Sequence, residues 1–162
     1  MAGARTHPSA YVDGLRLLGR RELSVAGMRA RLEDREHPSE EIDAAIAHLL
    51  ETGALDDSRV ARAYARTACT VKGHGRLRIA RELQAMGIAR DVATEALGEV
   101  FGDVDERALI AKALQKKLRG RTKIADRAEY ARLYQYLMRQ GFSPAAVAVA
   151  LRALGRHVDS IE

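Results

Sequence analysis

The sequence has no tryptophan, only two phenylalanines, three prolines and one cysteine. Aromatic residues make up 4% of the chain, so a core must be assembled from Leu, Ile, Val and many Ala, which suits closely spaced helices. A single cysteine, Cys69, excludes an intramolecular disulfide and a cysteine zinc cluster. That fits a reducing cytoplasm, and Cys69 reads as a small core or surface residue. No uninterrupted apolar run approaches the ~18 residues of a membrane span, and the opening MAGARTHPSA lacks the apolar segment of an export signal. A soluble, cytoplasmic protein with no membrane partner is expected. Nothing shows a period of two flanked by hairpin turns, so no strand is expected and the fold class reads as all-α.

What is present is enough apolar residue, 47% of 162, to bury a core, and a net charge of +5 that is unevenly spread. Residues 36–60 carry seven acids, Glu36, Glu40, Glu41, Asp43, Glu51, Asp56 and Asp57, against one base, Arg59. Residues 105–139 carry ten Lys and Arg against four acids, and from Lys112 to Lys123 six bases occur with no acid. Concentrated positive charge favours a polyanion through counterion release, whereas the acidic segment would repel one and suits a basic protein surface.

Helical segments recur. SEEIDAAIAHLLETG, with Ser39 as its cap and Gly53 as its stop, returns as ARDVATEALGEVFG from Ala89 and as SPAAVAVALRALG from Ser143. In the last of these Pro144 takes the first helical position, and Val147, Ala150, Leu151 and Leu154 form an apolar stripe. Each copy follows a short amphipathic stretch with a late leucine, Leu32, Leu83 or Leu137. Ahead of these lie further helical stretches, of which the second and third open at Asp57 and Asp105 as caps. The unit is three helices in roughly 50 residues, used three times. The expected organisation is a tail over 1–8, repeats over 9–55, 56–103 and 104–156, and a tail over 157–162. Such a tandem array is expected to be elongated and curved, with a long concave surface.

The stretch VKGHGRLRIARELQAMG, Val71 to Gly87, sets two glycines before a basic run, as a phosphate-binding loop would. A dinucleotide fingerprint would require a preceding strand and a third glycine where Arg78 stands. A Walker-type loop would place its lysine after the glycines, whereas Lys72 precedes them. The stretch instead reads as a flexible break between two helices, with Lys72, His74, Arg76 and Arg78 clustered near the N-terminus of the second, where they could hold an anion.

Catalytic groups are sparse. His7, His37, His48, His74 and His157 show no metal-ligand spacing, so most read as surface residues and no metal or cofactor is expected. Serines sit where caps belong, and paired acids such as Asp56 and Asp57 read as capping residues. Neither an enzyme nor a small-molecule substrate is expected.

Taken in order, GALDDSRVARAYART (53–67), KGHGRLRIARELQAMGI (72–88) and YLMRQGFS (136–143) resemble the signatures of the RecX family, regulators of the recombinase RecA. The resemblance extends over nearly the whole chain from about Tyr11, with departures at Gly27 and at RQGF (139–142), where RRGF is more usual. It implies a non-enzymatic protein that binds RecA and lodges in the groove of its filament on single-stranded DNA, opposing extension and lowering ATPase, strand-exchange and coprotease activity.

Charge and geometry, not the resemblance, nominate the contact residues. Phosphate contacts are expected from Lys72, Arg76 and Arg78, and from Lys112, Lys116 and Arg119 on a helix ended by Gly120, with Arg121 and Lys123 beyond it. The stripe Ile110, Leu114 and Leu118 would direct those basic residues outward, with Lys117 near the apolar side. Glu40, Glu41 and Asp43 are expected to meet a protein partner. The competing reading is a helix-turn-helix transcription factor, but the third helices are poor in the Arg, Asn and Gln that read base edges.

Overall fold

The structure is a computed structural model describing residues 8–155. The expected tails over 1–8 and 157–162, but for residue 8, lie outside the described residues, as do His7 and His157. Among the described residues there are nine helices and no strand: α1 Ala10–Leu18, α2 Val25–Glu33, α3 Ser39–Glu51, α4 Asp57–Thr70, α5 Arg76–Ala85, α6 Arg90–Gly102, α7 Glu106–Leu118, α8 Arg127–Gln140 and α9 Pro144–Gly155. None is long and apolar enough to cross a membrane.

The three-helix repeat is confirmed by burial in register. Met28, Ile79 and Leu133 are equivalent, as are Leu32, Leu83 and Leu137, then Ile42, Ala93 and Val147, then Ile46, Leu97 and Leu151, and all are buried. Each larger apolar side chain removed from water contributes about 1.5–3 kcal/mol, so these positions hold every repeat together.

The chain packs as two compact units, one of residues up to Ala61 with Leu83–Ala93, the other of Arg62–Glu82 with residues from Thr94 onward. The first unit closes α1, α2 and α3 over Met28, Leu32, Ile42, Ile46 and Leu49. Buried Asp13 ties α1 to the α2–α3 turn, 2.9 Å from His37 Nε2 and 3.3 Å from Arg35. Burial pushes the Asp13 carboxyl up, but hydrogen bonds from His37 and Arg35 outweigh that and hold it below its ordinary value. The second unit closes α7, α8 and α9 over Ile110, Leu114, Leu118, Leu133, Leu137, Phe142, Val147 and Leu151.

Helix ends depart from expectation in three places. Ser39 is the first residue of α3, not its cap; Pro38 occupies the cap position and no side chain bonds there. Asp57 lies inside α4, and its carboxylate accepts from the Val25 amide at 2.8 Å, so it caps α2, while Asp56 accepts from the Arg59 amide. Helix α7 ends at Leu118, before Gly120, because Arg119 already adopts a left-handed conformation with φ 50°. Asp105 and Ser143 cap as expected, accepting from the Arg107 and Ala146 amides.

One contact is made twice. In the first unit the Ser24 hydroxyl, at the start of α2, donates to the Met86 carbonyl in the α5–α6 turn at 2.7 Å. In the second unit the Gly75 amide, at the start of α5, donates to the Gln140 carbonyl in the α8–α9 turn at 2.7 Å. Both turns place a left-handed glycine under the incoming helix, Gly87 at φ 75° and Gly141 at φ 89°. A β-carbon on Gly87 would lie 2.4 Å from Ala26 Cβ, and one on Gly141 would lie 2.3 Å from the Arg78 nitrogen. The equivalent residue of the first repeat is Glu36, also left-handed at φ 61° but exposed, and it needs no such clearance.

Candidate nucleic-acid interface

The two-glycine stretch is a break between helices, as its sequence indicates, but a packed one. Gly73 turns the chain at φ 69° and His74 faces inward, 8% exposed. A β-carbon on Gly75 would lie 2.4 Å from the Gly141 carbonyl carbon, so the second glycine is required by a backbone crossing and not by phosphate. The Leu77 amide donates to the Gly141 carbonyl at 3.0 Å, and the His74 amide to the Ala68 carbonyl at 3.0 Å. These bonds consume donors that a nucleotide loop would offer its ligand.

Glu82 anchors the same region from α5. Its carboxylate lies 3.2 Å from His74 Nδ1 and accepts from Arg78 Nε at 2.9 Å and from the Tyr64 hydroxyl at 3.1 Å. Burial pushes the Glu82 carboxyl up, yet bonds from Arg78, His74 and Tyr64 prevail and keep it below the ordinary range. Burial, reinforced by Glu82, pushes the Tyr64 phenol up. Lys72 Nζ then stands 5.4 Å from the Tyr64 ring centroid, directing that lysine across α4.

On the other side, the stripe Ile110, Leu114 and Leu118 is buried as the spacing predicts, leaving Lys112 and Lys116 exposed on α7. Lys117 folds over the Tyr136 ring at 4.5 Å, which accounts for its position beside the apolar face. Lys72, Lys112 and Lys116 line one depression together with Thr70, Tyr136 and Gln140, and no acidic side chain lines it. Two basic groups forty residues apart in sequence are thereby combined. Three lysine side chains lining one small hollow suit phosphate oxygens as point-charge contacts.

The remaining expected residues are placed differently. Arg76 is exposed at the first position of α5, and Arg119 and Lys123 are exposed beyond α7; none lines the depression. Arg78 is committed to Glu82 and to the Gln140 side-chain oxygen at 3.4 Å. Arg121 does not extend an unpaired positive field, because it pairs with Glu129. The Arg121 hydrogen bond, aided by the Ala125 amide, holds the Glu129 carboxyl down at about 2. Of the acidic residues, Glu40 and Glu41 are exposed in the first turn of α3, while Asp43 pairs with Arg29 at 2.7 Å. The His37 and His74 side chains face inward and pair with Asp13 and Glu82, against the expectation of surface histidines. Cys69 is buried and its thiol is pushed up by desolvation, so it stays protonated.

Tyr136 and Gln140 are the participants in the depression that sequence reasoning missed. Gln140 carried a signal, since it immediately precedes a turn glycine; Tyr136 reads simply as one face of an amphipathic helix.

Comparison with known proteins matches the first, second and third three-helix domains of RecX to residues 10–49, 56–97 and 105–151. A regulatory protein RecX of Vibrio parahaemolyticus is 34% identical over 143 residues, 88% of this chain and 90% of that one. One of Halorhodospira halophila is 35% identical over 139 residues, 86% of this chain and 84% of that one. Among solved structures, RecX from Lactobacillus salivarius is similar with a TM-score of 0.74 at 20% identity, covering 90% of this chain and 94% of that one, a likeness of fold.

Proposed function

This chain belongs to the RecX family of regulatory proteins, and from that premise we propose that it binds RecA and the RecA filament on single-stranded DNA. It opposes filament extension and thereby lowers RecA's ATPase, strand-exchange and coprotease activities, acting in the cytoplasm as a regulator of DNA repair and recombination and not as an enzyme. The observation that carries the reading is the convergence of Lys72, Lys112 and Lys116 on one acid-free depression. Those three residues contact phosphates of the filament-bound strand, with Arg76, Arg119 and Lys123 adding charge nearby. Arg78 and Arg121 act through side chains already held by Glu82 and Glu129. Glu40 and Glu41 supply a separate contact with basic protein surface, Asp43 being shared with Arg29.

The experiment is a titration of the purified protein into RecA's DNA-dependent ATPase. Inhibition at far less than one molecule per RecA supports filament-end action. Absence of any inhibition, with sequence-selective retention of a duplex against competitor DNA, would establish a transcription factor instead.

A further inference from the structure

The repeats offer a comparison inside the molecule. Helices α3, α6 and α9 are equivalent, and their outward positions next to the first helix of each repeat follow from the buried register: Glu41, Val92 and Ala146; Ala44, Glu95 and Val149; His48, Glu99 and Ala153. In the first repeat this face lines a hollow with Glu41 and His48, and His48 stacks on Tyr11 with ring centroids 4.5 Å apart. In the second it carries Glu95 and Glu99, the latter 3.6 Å from Arg62. In the third it carries no polar side chain.

The result, in the second unit, is an apolar groove between α7 and α9. Its walls include Leu114 and Leu118 on one side and Val149 and Leu154 on the other, and Val149 is 51% exposed. Alanines on both helices, Ala111 and Ala153 among them, let another backbone approach closely. Arg107, Gln115, Arg121 and Thr122 complete the lining; Arg121 is already held by Glu129, while Arg107 stands exposed in the first turn of α7, and no acid lines the groove, whereas the equivalent hollow of the first repeat is lined by Glu41. Such a groove fits the apolar stripe of a helix, and exposed Arg107 selects an acidic residue beside that stripe.

We propose that the α7–α9 groove of the third repeat docks an acidic amphipathic helix of the protein partner, its apolar side chains seated between Leu114 and Val149. The partner is the one given under the proposed function, so the inference rests on that reading. It assigns protein recognition to a surface distinct from the lysine depression, which meets DNA.

The test transplants the second repeat's residues onto the third: Val149→Glu with Ala153→Glu, each the residue that the equivalent exposed position of α6 already carries. RecA without DNA is the binding probe, and an oligothymidylate is the control for the lysine depression. The expected result is about tenfold weaker binding to RecA, a fall typical of a central apolar contact, with unchanged oligonucleotide affinity, helicity and melting temperature. Equal RecA affinity in parent and variant overturns the groove assignment alone. A parent that sediments as a dimer and a variant that sediments as a monomer overturns it in favour of a second copy. A parent with neither affinity for RecA nor effect on its ATPase overturns the proposed function, and the groove's partner with it.

Discussion

Gly75 and Gly141 cross so closely that a β-carbon on Gly75 would stand 2.4 Å from the carbonyl carbon of Gly141. This crossing fixes the loop carrying Lys72 against α8, which contributes Tyr136 and Gln140 to the same depression. The glycines therefore serve the site through packing.

Gly75→Ala is expected to cost about 1–3 kcal/mol, because the obstruction is backbone and cannot swing aside. Gly141→Ala is expected to cost about 2–4 kcal/mol, since a left-handed residue adds its own penalty to the overlap. Chemical denaturation of the two variants checks this. Parent-like stability in both would contradict the crossing.

Glu36 gives the opposite expectation at the equivalent place. With φ 61° and an exposed side chain, Glu36→Gly relieves the left-handed penalty without opening a contact. Stability should rise by up to about 1 kcal/mol. Gly87→Ala, which would bring a β-carbon to 2.4 Å from Ala26 Cβ, should lower it. The two signs are read from urea midpoints at one pH.

Much of this was legible in the sequence. Leu32, Leu83 and Leu137 recur at a fixed distance before each third helix, and all three are buried. The lysine stripe on α7 followed from 3.6-residue periodicity in the same way. What stayed hidden depends on partners distant in the chain: Asp57 capping α2, Glu129 neutralising Arg121, and Lys72 joining Lys112 and Lys116. Charge patterning counts ionic groups without their partners, so it overstated Arg78 and Arg121. Buried His74 was equally hidden, because its partner Glu82 stands eight residues away on the next helix.

Asp13 predicts an acid-sensitive first unit. Its folded-state carboxyl lies below the ordinary value of 3.8, so its contribution is complete above that value and disappears as pH falls through the lower folded value. Asp13→Asn should cost about 1–3 kcal/mol at neutral pH, with a correspondingly shallower loss of stability below about pH 4. Urea midpoints between about pH 2 and about pH 7, the span of carboxyl titration, check both. Parallel curves for parent and variant would contradict the role given to Asp13.

Leu137→Ala should cost about 2–5 kcal/mol, since Leu137 is fully buried among Leu133, Phe142 and Leu151. Removing residues 143 onward, which takes Val147 and Leu151 from the same core, should abolish cooperative unfolding of the second unit. Calorimetry of both variants measures this, and an unchanged melting temperature would refute the packing.

Titration calorimetry with ATP should show no saturable binding, because the Gly75 and Leu77 amides are already bonded to the α8–α9 turn. Stoichiometric ATP binding would show that the crossing opens.

The central claim is that Lys72, Lys112 and Lys116 act together on phosphate. It is tested most directly by the salt dependence of single-stranded DNA binding in the parent and in the triple variant Lys72→Gln, Lys112→Gln and Lys116→Gln, alongside inhibition of RecA's ATPase. Each lost contact should remove about 0.7 from the log–log slope, so the variant's slope should flatten by about 2 and its inhibition should fall sharply, with helicity preserved. A variant that inhibits as the parent does, with an unchanged slope, would contradict the account.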